Sequence, residues 1–221
     1  MSFNRDIQID PNRVQTRSGG GRGAMIGGGS ILTVIAVVLI SQITGVDLSS
    51  LLGAQQQTGT TTSTASSIDT SVCTSGDSAN KYTQCRMVAT AESLDAVWTG
   101  QLPAQAGINY AKPEFVLWDG TQISSACGNA SSAVGPFYCS GDQTVYLDMS
   151  FFSEMERSLG AADTPLAEEY IVAHEFGHHI QHLTGQMAKA DRSGSGATSD
   201  SVRLELQADC YAGIWVNHAS S

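Results

Sequence analysis

His174-Glu175-Phe176-Gly177-His178 holds the densest chemistry in the chain. Residues four apart lie on one face of an α-helix, so His174 and His178 can present two imidazole nitrogens to one metal ion. Glu175 is one residue further round, beside that metal rather than under it. A carboxylate there can take a proton from an attacking water without becoming a ligand. The pattern is H-E-x-x-H, and its mechanics are those of zinc-assisted hydrolysis. The competing reading is two surface histidines on an amphipathic helix.

The flanking residues favour the metal reading. Thr164-Pro165 is a helix start, a capping hydroxyl followed by proline at the first helical position. Glu168 and Glu169 follow where the helix dipole favours acids. Leu166, Tyr170, Ile171, Ala173 and Phe176 supply an apolar face, and Gly185 is a C-terminal stop. A catalytic zinc usually has three protein ligands and one open position, so a third donor is needed. Ser201 to Val216 reads as a second helix, and in it Glu205 and Asp209 share a face. One can bind the metal, and the other can accept the outer N–H of a ligating imidazole and fix its orientation. Glu205 is assigned to the metal and Asp209 to the imidazole. A solvated acidic face is the alternative, but the helix is too apolar around them (Leu204, Leu206, Ala208, Ala212) for that to be the simpler reading.

The stretches H-E-F-G-H-H-I-Q and L-E-L-Q-A-D-C-Y-A-G-I-W resemble the bacterial neutral zinc metallopeptidase family and, more distantly, the gluzincins. So do Gly135 to Phe152 and the Gly-rich stretch before an apolar segment near the N-terminus. The resemblance implies a zinc (Zn2+) centre of His174, His178 and Glu205, with Glu175 as general base and Asp209 supporting His174. It implies a membrane-anchored metalloendopeptidase acting on peptide or protein substrates. It also implies more chain beyond Ser221, so a domain truncated at its C-terminus is expected. A membrane-tethered, zinc-stabilised binding module without turnover is the alternative.

These helices need a scaffold, and the rest of the chain has room for one domain and an appendage. Arg5, Arg13, Arg17 and Arg22 precede residue 23, opposed there only by Asp6 and Asp10. Of 11 basic and 21 acidic residues in all, seven basic and 19 acidic therefore lie after that point. So acidic a domain excludes nucleic acid as partner, because phosphate binding needs a basic surface. Residues 1–22 read as a polar, disordered cytoplasmic tail. Residues 23–46 carry no charge and are long enough for a single-pass transmembrane helix, which needs about 20 mainly apolar residues. A cleaved signal peptide is the rival. Residues 47–67 read as a flexible linker, and 68–221 as the zinc metallopeptidase-like domain. The positive-inside rule then orients the chain in the cell membrane with its N-terminus cytoplasmic and its catalytic domain periplasmic or extracellular.

The expected fold class is α+β, a zincin-like domain with a short mixed sheet over two site helices, preceded by the single N-terminal transmembrane helix. Cys73/Cys85 and Cys127/Cys139 are two couples of equal spacing; local pairing is the simplest of three possibilities, and an extracytoplasmic domain permits disulfides. Cys210 reads as a small core residue. Arg86 to Trp98 has helical spacing, Gly100 to Pro113 and Ser124 to Pro136 read as loops, and Glu114 to Trp118 as a strand. Gln143 to Leu147 alternates as a half-buried strand does. By resemblance, Thr144 to Asp148 is a candidate substrate-binding edge; an ordinary sheet strand is the alternative. His179 and His182 read as surface or supporting residues, because ligands eight residues apart span roughly 12 Å of helix. No oxyanion partner stands out among Tyr138, Tyr146, Tyr170 and Tyr211.

Overall fold

The computed structural model describes residues 2–19, 68–159, 164–191 and 193–219. The transmembrane and linker assignments, 23–46 and 47–67, lie outside them. Among the described residues no helix is long and apolar enough to cross a membrane.

The architecture is α+β. Strands β1 (Gln15–Gly19), β2 (Glu114–Gly120), β5 (Phe137–Cys139) and β6 (Thr144–Asp148) form one sheet in the order β1-β2-β6-β5. The first three in that order run parallel, and β5 is antiparallel to β6. Strands β3 (Gln122–Ser125) and β4 (Gly128–Ser131) form a separate hairpin. The helices are α1 (Gly76–Lys81), α2 (Thr83–Ala106), α3 (Phe151–Leu159), α4 (Pro165–Leu183), α5 (Gln186–Lys189) and α6 (Asp200–His218).

Period-2 alternation sorts the sheet's side chains into two cores. Phe115, Leu117, Val145 and Leu147 join the helical core, while Val116, Trp118 and Tyr146 pack with Ile123 and Ala130 of the hairpin. All five residues of β6 are therefore buried. This corrects two expectations. The strand is covered on both faces, as parallel strands usually are, and it is central, with β2 on one side and β5 on the other. Strand β2 pairs along the whole length of β6 and β5 along Thr144 to Tyr146, so β6 is not an edge strand. Among the described strands the edges of the sheet are β1 and β5.

Helix α2 is the spine of the helical core and buries Met87, Val88, Leu94, Trp98 and Leu102. It runs eight residues past the expected Trp98 and ends where Gly107 adopts a left-handed conformation (φ 67°) and donates its N–H to Pro103, the usual helix stop. The expected 124–136 loop contains the end of β3 and all of β4. Both local disulfides form, Cys73–Cys85 and Cys127–Cys139. Cys210 is exposed rather than core, because its turn of α6 faces solvent at this position, as Leu206 one turn earlier does.

Residues 2–19 differ most from expectation. They are folded onto the domain rather than disordered. Ile9 and Val14 enter the core, the Phe3 N–H donates to Asn80, and β1 extends the sheet beside β2. Arg13 donates through Nε to Asp95 at 2.6 Å and through Nη2 at 3.2 Å. A polar composition signalled solvation, but here the key charge is neutralised inside the fold.

Candidate functional site

Helices α4 and α6 carry the site, and their starts are set locally. Thr164 Oγ1 accepts the Ala167 N–H at 3.3 Å and Ser199 Oγ accepts the Val202 N–H at 3.4 Å, each satisfying an otherwise orphaned helix-end donor. Gly185 lies in the left-handed region (φ 72°) just past α4. In the first turn of α4, buried Glu168 is paired with Arg86 of α2.

What brings the two helices together is Gly177, inside the H-E-x-x-H pentapeptide. A Cβ there would lie 2.8 Å from the Ala208 carbonyl oxygen and 3.0 Å from the Ala208 Cα. The backbones touch where most helix pairs are separated by side chains. Gly177→Ala is therefore expected to push α6 away and cost about 1–3 kcal/mol of stability, the usual range for overpacking, with zinc uptake weakened in parallel. Urea unfolding with a zinc titration checks both.

Close approach places three donors on one point. His174, His178 and Glu205 each offer a ligand atom within 4.8 Å of the others, the one such group of three among the described residues. His174 Nε2 is 3.2 Å and His178 Nε2 is 3.5 Å from the same oxygen, Glu205 Oε2. Zinc sits about 2.0–2.2 Å from nitrogen and oxygen ligands, which places tetrahedral neighbours roughly 3.4 Å apart. The donor set and its spacing fit that ion.

The outer face of each imidazole is also engaged. His174 Nδ1 donates to Asp209 Oδ1 at 2.9 Å, and that oxygen also accepts the Tyr170 hydroxyl at 3.0 Å. His178 Nδ1 donates to Gln181 Oε1 at 3.0 Å. Gln181 is fully buried and donates in turn to the Leu204 carbonyl at 2.6 Å and to Gln207 Oε1 at 3.1 Å. One imidazole is thus oriented by a carboxylate and the other by a neutral amide tied to α6. Such outer partners typically carry 10–100-fold in metal affinity, so Gln181→Leu is expected to weaken zinc binding by about that factor in chelator competition.

Electrostatics follow from burial and proximity. Burial opposes the His174 imidazolium, but Asp209 and Glu205 outweigh it and raise its pKa to about 10. Burial likewise opposes the Glu205 carboxylate, yet the two imidazoles pull its pKa down to about 2. Glu175 is 8% exposed. Burial raises its pKa, against the two histidines and the Tyr138 backbone N–H, which favour the charged form. A carboxylate with a raised pKa beside a metal site has the character of a proton acceptor.

The sequence-derived candidates thus converge: Glu205 meets both His174 and His178, Asp209 meets His174, and Glu175 lies beside them. The four tyrosines do not converge. The Tyr138 hydroxyl meets His179 Nδ1, the Tyr146 hydroxyl donates to Asp142, the Tyr170 hydroxyl to Asp209, and Tyr211 interacts with Thr184. His182 and His218 stand apart from the three donors, the latter meeting the Ile214 carbonyl. Gln181 escaped the sequence reading, although its position three residues beyond His178 puts it on the same helical face. So did the backbone N–H of Tyr138.

Of the two readings of His179, surface or supporting residue, the surface one fails: it is fully buried. It donates from Nε2 to the Ala111 carbonyl at 2.6 Å, and burial lowers its pKa to about 4. A histidine kept neutral in the fold but free to charge when unfolded stabilises fully above pH 6.5 and less as pH falls toward 4. The loss is about 3 kcal/mol over that window. Urea unfolding of the metal-free chain at pH 7 and pH 4.5 is expected to show it, and His179→Phe to flatten it.

Comparison with known proteins adds the family. The family model described as "Putative neutral zinc metallopeptidase" matches residues 5–221. The chain belongs to this family. The family description names zinc, so Zn2+ is the cofactor implied for the three-donor site. Among relatives, the uncharacterized proteins Rv2575 of Mycobacterium tuberculosis and Mb2605 of Mycobacterium bovis are each 46% identical over 181 residues, which is 82% of this chain and 59% of theirs. The uncharacterized protein YpfJ of Escherichia coli K12 is 39% identical over 196 residues, 85% of this chain and 62% of its own. The chain thus spans about three fifths of these relatives' length. No solved structure matches.

Proposed function

We propose that this chain is a zinc-dependent peptidase domain that hydrolyses peptide bonds. The observation that carries the reading is the triangle of His174, His178 and Glu205 with Glu175 beside it. In this reading the three hold zinc, which when bound polarises a carbonyl and acidifies water. Glu175 takes the proton from the attacking water and returns it to the departing amine. Asp209 and Gln181 keep the two imidazoles turned so that Nε2 of each faces inward. The Tyr138 N–H aims the Glu175 carboxylate.

Strand β5 supports a binding mode for the substrate. It is one of the two edge strands of the sheet among the described residues, and its Tyr138 backbone N–H favours the charged form of Glu175. An extended peptide added to β5 by backbone hydrogen bonds would pass the general base, which is strand addition. The two disulfides support an oxidising compartment, periplasmic or extracellular, as the place of action.

The test is zinc content by elemental analysis, then cleavage of a quenched peptide library. Cleavage lost to a chelator and restored by zinc supports the reading. A zinc-loaded chain that cleaves nothing favours the tethered binding module instead.

A further inference from the structure

A pocket of about 200 Å³ lies where α5 meets the first two turns of α6, apart from the three metal donors. Lys189 and Arg203 line it. They are two of the seven basic residues that follow residue 22, against 19 acidic ones. The other Lys and Arg side chains described between 68 and 219 are already matched. Arg86 pairs with Glu168, Lys112 with Asp95 and Arg157 with Glu154, and Lys81 lies over the Tyr82 ring. Lys189 meets no acceptor among the described residues. Arg203 has one long contact, 3.4 Å from Nη1 to Asp200 Oδ1. Asp200 is the one acid in the wall, and its other oxygen, Oδ2, accepts the Asp191 N–H at 2.9 Å.

The polarity of the opposite wall is set from the metal site. His178 turns Nε2 inward and donates from Nδ1 to Gln181 Oε1 at 3.0 Å. Gln181 then has only its Nε2 hydrogens to give, and they go to the Leu204 carbonyl and to Gln207 Oε1. Gln207 lines the pocket with its acceptor spent. Its two Nε2 hydrogens are what it has left to offer. Two cations and an amide donor thus face one carboxylate whose oxygens are both engaged, over the apolar side chain of Leu204. Such a wall suits an anion. The Arg203 fork matches the two oxygens of a carboxylate, and Leu204 suits a short alkyl stem. Two cations and one acid leave one net positive charge, which a singly charged group neutralises and a doubly charged phosphate exceeds.

We propose that this pocket binds a carboxylate on a short alkyl stem, the group shared by an acidic peptide residue and a free short-chain acid. The inference is independent of the peptidase reading. The pocket contains neither a metal donor nor Glu175, so a chain that cleaves nothing would still bind the carboxylate.

The test is isothermal titration calorimetry on the zinc-loaded full chain. The probes are N-acetylglutamate amide, its neutral counterpart N-acetylglutamine amide, butyrate and inorganic phosphate. N-acetylglutamate amide is expected to fill one site with a Kd of about 1 mM, ordinary for so small a ligand. The neutral counterpart should bind about tenfold more weakly or worse, because hydrogen bonds to charged groups are the strong ones. The double variant Lys189→Gln, Arg203→Gln should lose about tenfold or more for the charged probe. Both side chains are exposed, so the variant keeps its fold, which circular dichroism checks. Butyrate binding as tightly as N-acetylglutamate amide supports the pocket and assigns it to a free acid. Weaker butyrate binding supports it and assigns it to a peptide residue. The proposal is overturned by no saturable binding, by phosphate binding more tightly than both carboxylates, or by carboxylate binding that survives the double variant, as it would if the carboxylate sat on the zinc.

Discussion

Glu175→Gln is expected to reduce peptide cleavage by about 10²–10⁴-fold while the chain stays folded and keeps its zinc. The magnitude is that of a positioned general base. The substitution keeps the shape of the side chain, and an amide oxygen can still face the Tyr138 N–H, which favours the carboxylate. None of the three metal donors is touched. What disappears is the ability to accept a proton. Three readings decide the outcome: zinc per chain, circular dichroism, and cleavage rate of the zinc-loaded variant against wild type. Unchanged cleavage would remove Glu175 from the role of base. A zinc site built only for binding predicts no cleavage in either protein.

Glu205→Ala is expected to have the largest effect on the metal and a second effect on the fold. Zinc content should fall toward zero, because two imidazoles alone leave the site one donor short of the usual three. The metal-free chain should also lose stability. Glu205 is 1% exposed, and its carboxylate faces both imidazoles. Removing one partner of a buried pair typically costs about 3–5 kcal/mol, which for a chain of this size is roughly 6–20 °C in thermal midpoint.

The pH dependence gives this prediction a sign. His174, with its pKa raised to about 10, contributes fully below about pH 6.5 and loses that contribution as pH climbs through 10. Glu205, with its pKa lowered to about 2, contributes fully above about pH 4.5 and loses it as pH falls through 2. The difference between wild type and Glu205→Ala should therefore be greatest between pH 4.5 and 6.5 in chelator, and should narrow on either side. A difference that grows above pH 10 would contradict the pairing.

Side chains a few residues apart on one helix were legible without coordinates. His174, Glu175 and His178 are related by helical periodicity alone, as are Glu205 and Asp209. The caps at Thr164-Pro165 and Gly185 are equally local, and the two disulfides close short loops of matching spacing. Wherever a role depends on residues within one turn or one short loop, the chain's own geometry decides it.

Non-local decisions were not legible. Alternation along Gln143 to Leu147 says that two faces exist, but not which strands flank them, and β6 is central because β2 and β5 both pair with it. Residues 2–19 look solvated until Asp95, 82 positions away, supplies a counter-charge for Arg13. Gln181 gains its role from a carbonyl on another helix, and Cys210 lies in an apolar helix but on the turn that faces outward. The sequence by itself determined the donors, their spacing and the helices that carry them. The tertiary structure alone decided how closely those helices approach, at Gly177 against Ala208, which strands lie at the edges of the sheet, and on which surface the N-terminal residues dock. The physical reason is that periodicity records which face a residue occupies, while the partner on that face is chosen by packing between segments far apart in the chain.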